Sequence, residues 1–459
     1  MLLAQIIIVV ALLLMISGKV PLYLTAFIGA TIAALAAGFP MLAAWAPAGY
    51  EGPFVMGLLQ ASGLHPVILD MLGVLLFIGI MEKAGFLNSI ILKIIRVGHR
   101  IGEGPGVATA GGIAAGIIGG MTGFTQPAIT GVITGPPAIE MGVDKNRVAG
   151  ILAHAGHLGN LGGFTHPTIL AVVAMTGISW GPTNLVGVIV ALSIFLTSYI
   201  RVRRLMKAEG TLGKSVEINL EASDIPFGKA IIPFIVLVAL FVGIPIPTEN
   251  LLENWRWAVI IPNIPVVMAG IISALLVILM SIRDFAQGEK DMMSGLTRIT
   301  VPLFATVSFL FMARIVQEIG LIDILVRSED GQVVGGALYG AMTAGPLVLI
   351  LIMFFVGSFA GLVTQSNGAS IPFILPVLMA ILTAGVNPIA AAVAAAGGPA
   401  IMQYYLTGGP VAALSTVIPI IPGSDLKLAN KFQRPSILVG MVVLFIIVVF
   451  LGVVMPHGV

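Results

Sequence analysis

The sequence predicts an all-α polytopic membrane protein made of two repeats of opposite topology. Three observations predict it. The composition is that of a chain solvated by lipid. Two long apolar zones are interrupted by Gly and Pro and enter and leave on one side. Four short motifs also recur in the same order in the second half of the chain.

Composition comes first. Hydrophobic residues make up 58% of 459 positions and charged residues 9%, where a soluble domain carries about 25% charged residues. The 56 glycines suit membrane helices, whose backbones approach closely where side chains are small. The chain has no cysteine, which excludes disulfides, thiolate metal sites and cysteine nucleophiles. Its net charge is +2 and spread along the chain, so no nucleic-acid partner is expected. The first apolar run lacks a basic n-region and a small-residue cleavage site, and is expected to be a span rather than a signal peptide.

Apolar runs able to cross roughly 30 Å of hydrocarbon fall at about 2–17, 20–38, 66–82, 181–200, 226–246, 257–282, 299–316 and 435–455. Basic residues orient them. Lys19, Lys83, Lys93, Arg96, Arg100, Lys145, Arg147, Arg201, Arg203, Arg204, Lys207, Arg283, Lys290, Arg298, Lys427, Lys431 and Arg434 all fall on one side if the chain is threaded consistently, and that side is assigned to the cytoplasm. Both chain ends are then external. Residues 102–144 begin and end on the cytoplasmic side, and residues 337–384 on the external side, so each is expected to be a re-entrant hairpin. Irregular backbone at membrane depth persists only where protein or a water-filled cavity surrounds it.

The repeat follows from four matches. LLFIGIMEKAGFL (75–87) pairs with FLFMARIVQEIGLI (309–322), and GMTGFTQPA (120–128) with AGLVTQSNGA (360–369). GVDKNRVAG (142–150) pairs with GVNPIAAAV (385–393), and GNLGGFTHP (159–167) with MQYYLTGGP (402–410). Each half is expected to hold three spans, a re-entrant hairpin, a broken span and a closing span. The first repeat covers 1–205, with its hairpin at about 102–144 and its broken span at about 146–177. A cytoplasmic linker follows at 206–225. The second repeat covers 226–459, with its hairpin at about 337–384 and its broken span at about 386–422. In secondary transporters such inverted repeats point to a binding site near the midplane.

The breaks carry the candidate chemistry. Pro127, Pro167 and Pro410 each follow a Gly/Thr-rich break and precede an apolar run; proline suits the first turn of a helix. A half-helix starting inside the membrane presents its N–H groups and positive dipole end to an anion such as a carboxylate. Polar side chains gather at the same places. The candidate substrate-binding residues are Thr125, Gln126, His157, Asn160, Thr165 and His166 in the first half, with Thr364, Gln365, Ser366, Asn367, Gln403 and Thr407 in the second. The alternative is that they satisfy broken backbone or join helices. His154 shares a helix face with His157 at i, i+3, and either histidine is a candidate proton carrier. No carboxylate accompanies them, so no metal site is expected. Among charges inside spans, Arg314 is a candidate carboxylate ligand. It is equally open to pairing with Glu318 at i, i+4, and Asp70 is expected near the external interface.

With these residues placed, the chain resembles the ion-transporter superfamily of elevator-type carriers over nearly its whole length. Locally it is most like the lactate/glycolate permeases. GGMTGFTQPAITG (119–131), RVAGILAHAGHLGNLGGFTHPTI (147–169), VGSFAGLVTQSN (356–367) and AAAGGPAIM (394–402) carry that likeness. The resemblance implies a homodimer in a prokaryotic inner membrane. Spans one, two and five of each half would form the scaffold, and hairpins and broken spans the moving transport domain. Thr125-Gln126 and Thr364-Gln365-Ser366-Asn367 stand where the dicarboxylate/sodium carriers have Ser-Asn-Thr. The coupling ion therefore stays open between H⁺ and Na⁺, and no other cofactor is expected. The expected function is secondary active transport of a small organic anion. The alternative is a cation/proton antiporter on the same scaffold, but no Asp or Glu sits at either break. No catalytic motif suggests an enzyme.

Overall fold

The computed structural model describes the chain except for residues 17–19, 123–126, 179–180, 214–223, 243, 246–258, 262–263, 282–283, 299, 322–325, 328–332, 337, 407–416 and 455–459. The first half comprises α1 (Leu2–Ile16), α2 (Leu22–Ala36), α3 (Val55–Gly63), α4 (Pro66–Lys83), α5 (Phe86–Thr122), α6 (Pro127–Glu140), α7 (Lys145–Ala153), α8 (Ala155–His157), α9 (Pro167–Thr176) and α10 (Pro182–Ala208). The second comprises α11 (Phe227–Val242), α12 (Val266–Ser281), α13 (Phe285–Ser294), α14 (Thr300–Glu318), α15 (Tyr339–Thr343), α16 (Pro346–Thr364), α17 (Asn367–Thr383), α18 (Pro388–Met402) and α19 (Leu426–Val454). Two short antiparallel ribbons complete the described residues. One pairs β1 (Ile244–Pro245) with β2 (Val259–Ile261), the other β3 (Val326–Arg327) with β4 (Val333–Gly335). Among the described residues, six helices are long and apolar enough to cross a membrane, and further apolar helices are shorter.

Packing between the halves is reciprocal. α2 packs on α14, and α12 packs on α4. α1 lies on α2 as α11 lies on α12, and α10 packs against α19. Residues matched in the sequence also share local backbone. Gly142 and Gly385 both take a left-handed conformation, at φ 92° and 80°, which glycine adopts without the Cβ clash of other residues. Two residues later Asp144 and Asn387 each cap a helix. Asp144 accepts from Asn146 and Arg147 N–H at 3.0 and 3.2 Å, and Asn387 from Ile389 and Ala390 N–H at 3.0 and 3.3 Å. Each cap satisfies N–H groups that a helix start leaves open.

α5 is continuous except at Gly102 and Glu103, whose backbone is non-helical. Pro105 then lies in the first turn of the second arm, where its missing N–H costs nothing. That arm packs along α6, and α16 packs along α17, as two helical hairpins. The second is shorter than its expected span. α15 is separate, and α16 starts after Gly345, which is left-handed.

One expectation is corrected here. The apolar run at about 257–282 is not one helix, because β2 occupies Val259–Ile261 and α12 begins only at Val266. Pro265, immediately before α12, accounts for the late start, since proline lacks the N–H a helix interior needs. Asp70, expected near the external interface, accepts from Val267 N–H at 3.0 Å at the start of α12.

Candidate functional site

Two helix starts meet where the halves touch. α9 begins at Pro167 with His166 as its cap, and the His166 Nδ1 accepts from Thr168 N–H at 3.3 Å. α17 begins at Asn367 after Ser366, whose Oγ accepts from Ala369 N–H at 3.3 Å. Between the two starts, Asn367 Nδ2 lies 3.3 Å from His166 Nδ1. An Nδ1 that accepts from both neighbours puts the imidazole proton on Nε2. Asn367 N–H donates to Gln403 Oε1 at 3.0 Å, and Gln403 Nε2 donates to the Ala400 carbonyl at 3.1 Å. Asn367 is 2% exposed, and its Oδ1 is buried with no hydrogen-bond partner among the described residues. The positive ends of two helices thus converge on a buried amide with an unused acceptor.

The first break forms because the chain cannot stay helical there. Residues Leu158–Gly162 make a π-turn, and the backbone is extended by Gly163. A Cβ on Gly163 would lie 2.2 Å from the Gly159 carbonyl oxygen and 2.4 Å from Gly120 Cα, so only glycine permits the approach. The Gly120 carbonyl, near the end of α5, accepts from Phe164 N–H at 2.8 Å and from the Thr165 hydroxyl at 3.2 Å. At the tip of the second hairpin, Gln365 closes α16 in the left-handed region at φ 49°, ψ 27°, an uncommon conformation for a side chain without the latitude of Gly or Asn. The Thr364 hydroxyl accepts from Ser366 N–H at 3.3 Å and lies 3.0 Å from Ser370 Oγ.

Behind the starts lies a second polar layer. Asn160 Nδ2 donates to the Tyr404 hydroxyl at 2.7 Å. The His157 ring stands edge-on to Tyr404, with centroids 4.7 Å apart, and the His154 ring lies 5.5 Å from that of His157. His154 Nε2 is 2.6 Å from Ser198 Oγ, which donates onward to Ser436 Oγ at 2.8 Å. His154 Nδ1 is buried without a hydrogen-bond partner among the described residues, and the two His157 nitrogens find none of good geometry there, the ring only approaching the Ala400 backbone.

Of the sequence candidates, His166, Asn367 and Gln403 are brought together directly. Thr364, Gln365 and Ser366 shape the second tip, Thr165 holds the first break, and His157 and Asn160 surround Tyr404. Thr125, Gln126 and Thr407 lie outside the described residues. His154 sits one layer away, on α10 and α19. Arg314 and Glu318 form no ion pair. Arg314 is half-buried with its Nε unpartnered, while Glu318 is exposed. Arg314 acts electrostatically on His65, which contacts the Ala174 carbonyl at the far end of α9, away from the two starts.

Sequence reasoning missed the groups that close the carbonyl ends. The Tyr404 carbonyl, just past α18, accepts from Asn430 Nδ2 at 2.9 Å, and the Tyr405 carbonyl from Arg434 Nε at 3.0 Å. Asn184 Nδ2 donates to the Gly163 carbonyl at 2.6 Å. Asn184 carried a signal, a polar residue inside an apolar span, whereas Asn430 and Arg434 fall in the polar stretch before the last apolar run and carried none. A cavity of about 660 Å³ borders the first break, lined by Gly116, Gly120, Gly163, Phe164, Asn184 and Phe234 among others. Its walls are mostly apolar, and none of the candidate site residues lines it.

No family model matches the chain, and no curated protein matches it. Solved structures do. The Alcanivorax borkumensis YdaH transporter superposes with a TM-score of 0.56 at 14% identity, over 86% of this chain and 87% of that one. Neisseria gonorrhoeae MtrF, described with a class of antimetabolite efflux pumps, superposes with a TM-score of 0.52 at 13% identity, over 94% and 95%. The chain has the fold of these membrane transporters. At such identities the likeness is one of fold, and both matches are to transporters rather than to the lactate permeases of the sequence resemblance.

Proposed function

We propose that this chain is a secondary active carrier of small organic anions, carboxylates above all, coupled to H⁺ or Na⁺. The observation that supports this is the convergence of the α9 and α17 starts across His166 and Asn367. Backbone N–H groups and positive dipole ends favour a negative guest. The His166 Nε2–H adds a neutral donor, which binds an anion without holding it irreversibly. The apolar cavity beside the same break suits the hydrocarbon body of such a substrate.

In this proposal the halves are inverted repeats, bounded at 1–205 and 226–459, and the hairpins and broken spans move as a unit against the scaffold. Binding draws on Thr125, Gln126, His157, Asn160, Thr165, His166, Thr364, Gln365, Ser366, Asn367, Gln403 and Thr407. The protein works as a homodimer in a prokaryotic inner membrane with both termini external. A cation/proton antiporter fits less well. The carbonyls that would hold a cation, at Gly120, Tyr404 and Tyr405, already accept from protein donors. The fold likeness to MtrF supports a second reading in which the anion is exported rather than taken up.

The test is transport in proteoliposomes, across mono- and dicarboxylates, with imposed H⁺ or Na⁺ gradients of either direction. Saturable carboxylate flux that collapses with one gradient is expected. Movement of inorganic cations against protons, with no carboxylate flux, would overturn the proposal. The sign of the productive gradient separates import from export.

A further inference from the structure

A second anion site stands apart from the breaks. α10 has 27 residues, about 40 Å at 1.5 Å per residue, against roughly 30 Å of hydrocarbon. Its last turns therefore leave the apolar layer. There a cavity of about 590 Å³ is lined by Tyr199, Arg203, Arg204 and Lys207, with Gly210 and Leu212 closing the far side. The site is built rather than loose. Arg203 donates to the Tyr199 hydroxyl at 3.3 Å and its guanidinium lies 5.9 Å from the Tyr199 ring centroid. No carboxylate of the described residues pairs with Arg203, Arg204 or Lys207. The nearest acid on the helix, Glu209, is already held by Arg147 through two hydrogen bonds at 2.8 and 2.5 Å.

A second observation identifies the kind of anion. Leu185, Ile189, Leu192, Leu196 and Ile200 are exposed large apolar residues of α10, and their spacing of three and four residues makes one stripe. Ile200 also lines the basic cavity. An apolar stripe at membrane depth that ends in unpaired cations matches a molecule with a hydrocarbon tail and an anionic phosphate head. Basic pockets at the cytoplasmic ends of spans are suited to such headgroups, and each nearby cation strengthens the attraction.

We infer that the basic end of α10 binds an anionic phospholipid, with the phosphate against Arg203, Arg204 and Lys207 and an acyl chain along the Leu196–Ile189 stripe. This site is independent of the transported substrate.

The experiment uses the purified full chain in detergent, supplied with phosphatidylglycerol, phosphatidylcholine or inorganic phosphate. Lipid retention is read by native mass spectrometry and thermal midpoint by intrinsic fluorescence. Phosphatidylglycerol alone is expected to be retained and to raise the midpoint. The double variant Arg204→Gln/Lys207→Gln keeps the Arg203–Tyr199 contact, and should lower retention about thirtyfold. Its midpoint in phosphatidylcholine should match the parent, and Lys290→Gln, on α13, should bind like the parent. Equal retention of both lipids, or unchanged retention in the double variant, overturns the inference. Stabilisation by inorganic phosphate equal to that by phosphatidylglycerol makes this a soluble-phosphate site and overturns the lipid assignment.

Discussion

The two kinds of helix end at the centre of this protein are treated differently. Carbonyl ends are closed by the protein itself. The Gly120 oxygen is taken by Phe164 and Thr165, Tyr404 by Asn430, and Tyr405 by Arg434. The N–H ends at α9 and α17 are also capped from within, by His166, Ser366 and Gln403, but they meet through a shared amide–imidazole contact in which the amide keeps an acceptor unused. Leaving a buried polar atom unpaired costs about 1–3 kcal/mol. The unpaired atom is an acceptor, so under the proposed function it would be relieved by a donor, such as a protonated carboxyl group or a cation bound with the substrate. The difference lies in what is left over: the carbonyl ends leave no unmet group, whereas the meeting point of the N–H ends leaves one, and the proposed function places substrate binding there.

Four substitutions break or sharpen that contrast. The largest effect is expected from Gly163→Ala, which drives a methyl into the Gly120 and Gly159 backbone. It should destabilise the fold by about 1–3 kcal/mol or more, read as a lower unfolding midpoint with poor recovery of folded protein. Next is Asn367→Ala. It removes the side chain that joins the two N–H ends, and should weaken substrate affinity about ten- to a hundredfold, the equivalent of one or two charge-assisted hydrogen bonds. Its unfolding midpoint should stay close to the parent, since an unpaired atom leaves with the side chain. If affinity is unchanged, the donor ends do not bind the substrate.

Asn430→Ala tests the other side. It removes one donor from the Tyr404 carbonyl and should cost about 1 kcal/mol of stability while substrate affinity in flux assays holds. A loss of affinity without loss of stability would show that the carbonyl ends also take part in binding. The smallest effect belongs to the exposed Arg147–Glu209 pair. The Arg147 hydrogen bond holds the Glu209 carboxyl below the usual carboxylate range. Its stabilising contribution is therefore present above the unfolded carboxylate range, near pH 4.3, and is lost as pH falls through the lower folded value. Arg147→Gln should narrow the difference in unfolding midpoint between pH 7 and pH 4, and leave flux at pH 7 unchanged.

Much of this architecture was legible before any coordinates. The 9% charge content and the length of the apolar runs point to a multi-pass helical membrane protein, because lipid admits only helices and closed barrels, and runs near 20 residues fit helices. The paired motifs at Gly142 and Gly385, and Pro127 and Pro167 after Gly/Thr-rich stretches, mark where helices restart, since those residue types have distinctive conformational preferences; Pro410 lies outside the described residues. The polar residues at the breaks could be named as a set for the same reason.

Which of them touch was not legible. His166, Asn367 and Gln403 stand up to 237 positions apart in the chain, and no local rule joins them. The aligned partners were Asn160 and Gln403, yet Asn160 bonds Tyr404 and Gln403 bonds Asn367, because the packing of α9 on α17 and α18, and of the π-turn on α18, decides which amide reaches which group. Arg314 and Glu318 satisfy the i, i+4 spacing and still do not pair, as one side chain turns inward and the other outward. Local preferences dictate where a membrane helix stops and restarts. Only the packing of the two halves decides which ends face each other, because that depends on shape summed over the whole interface.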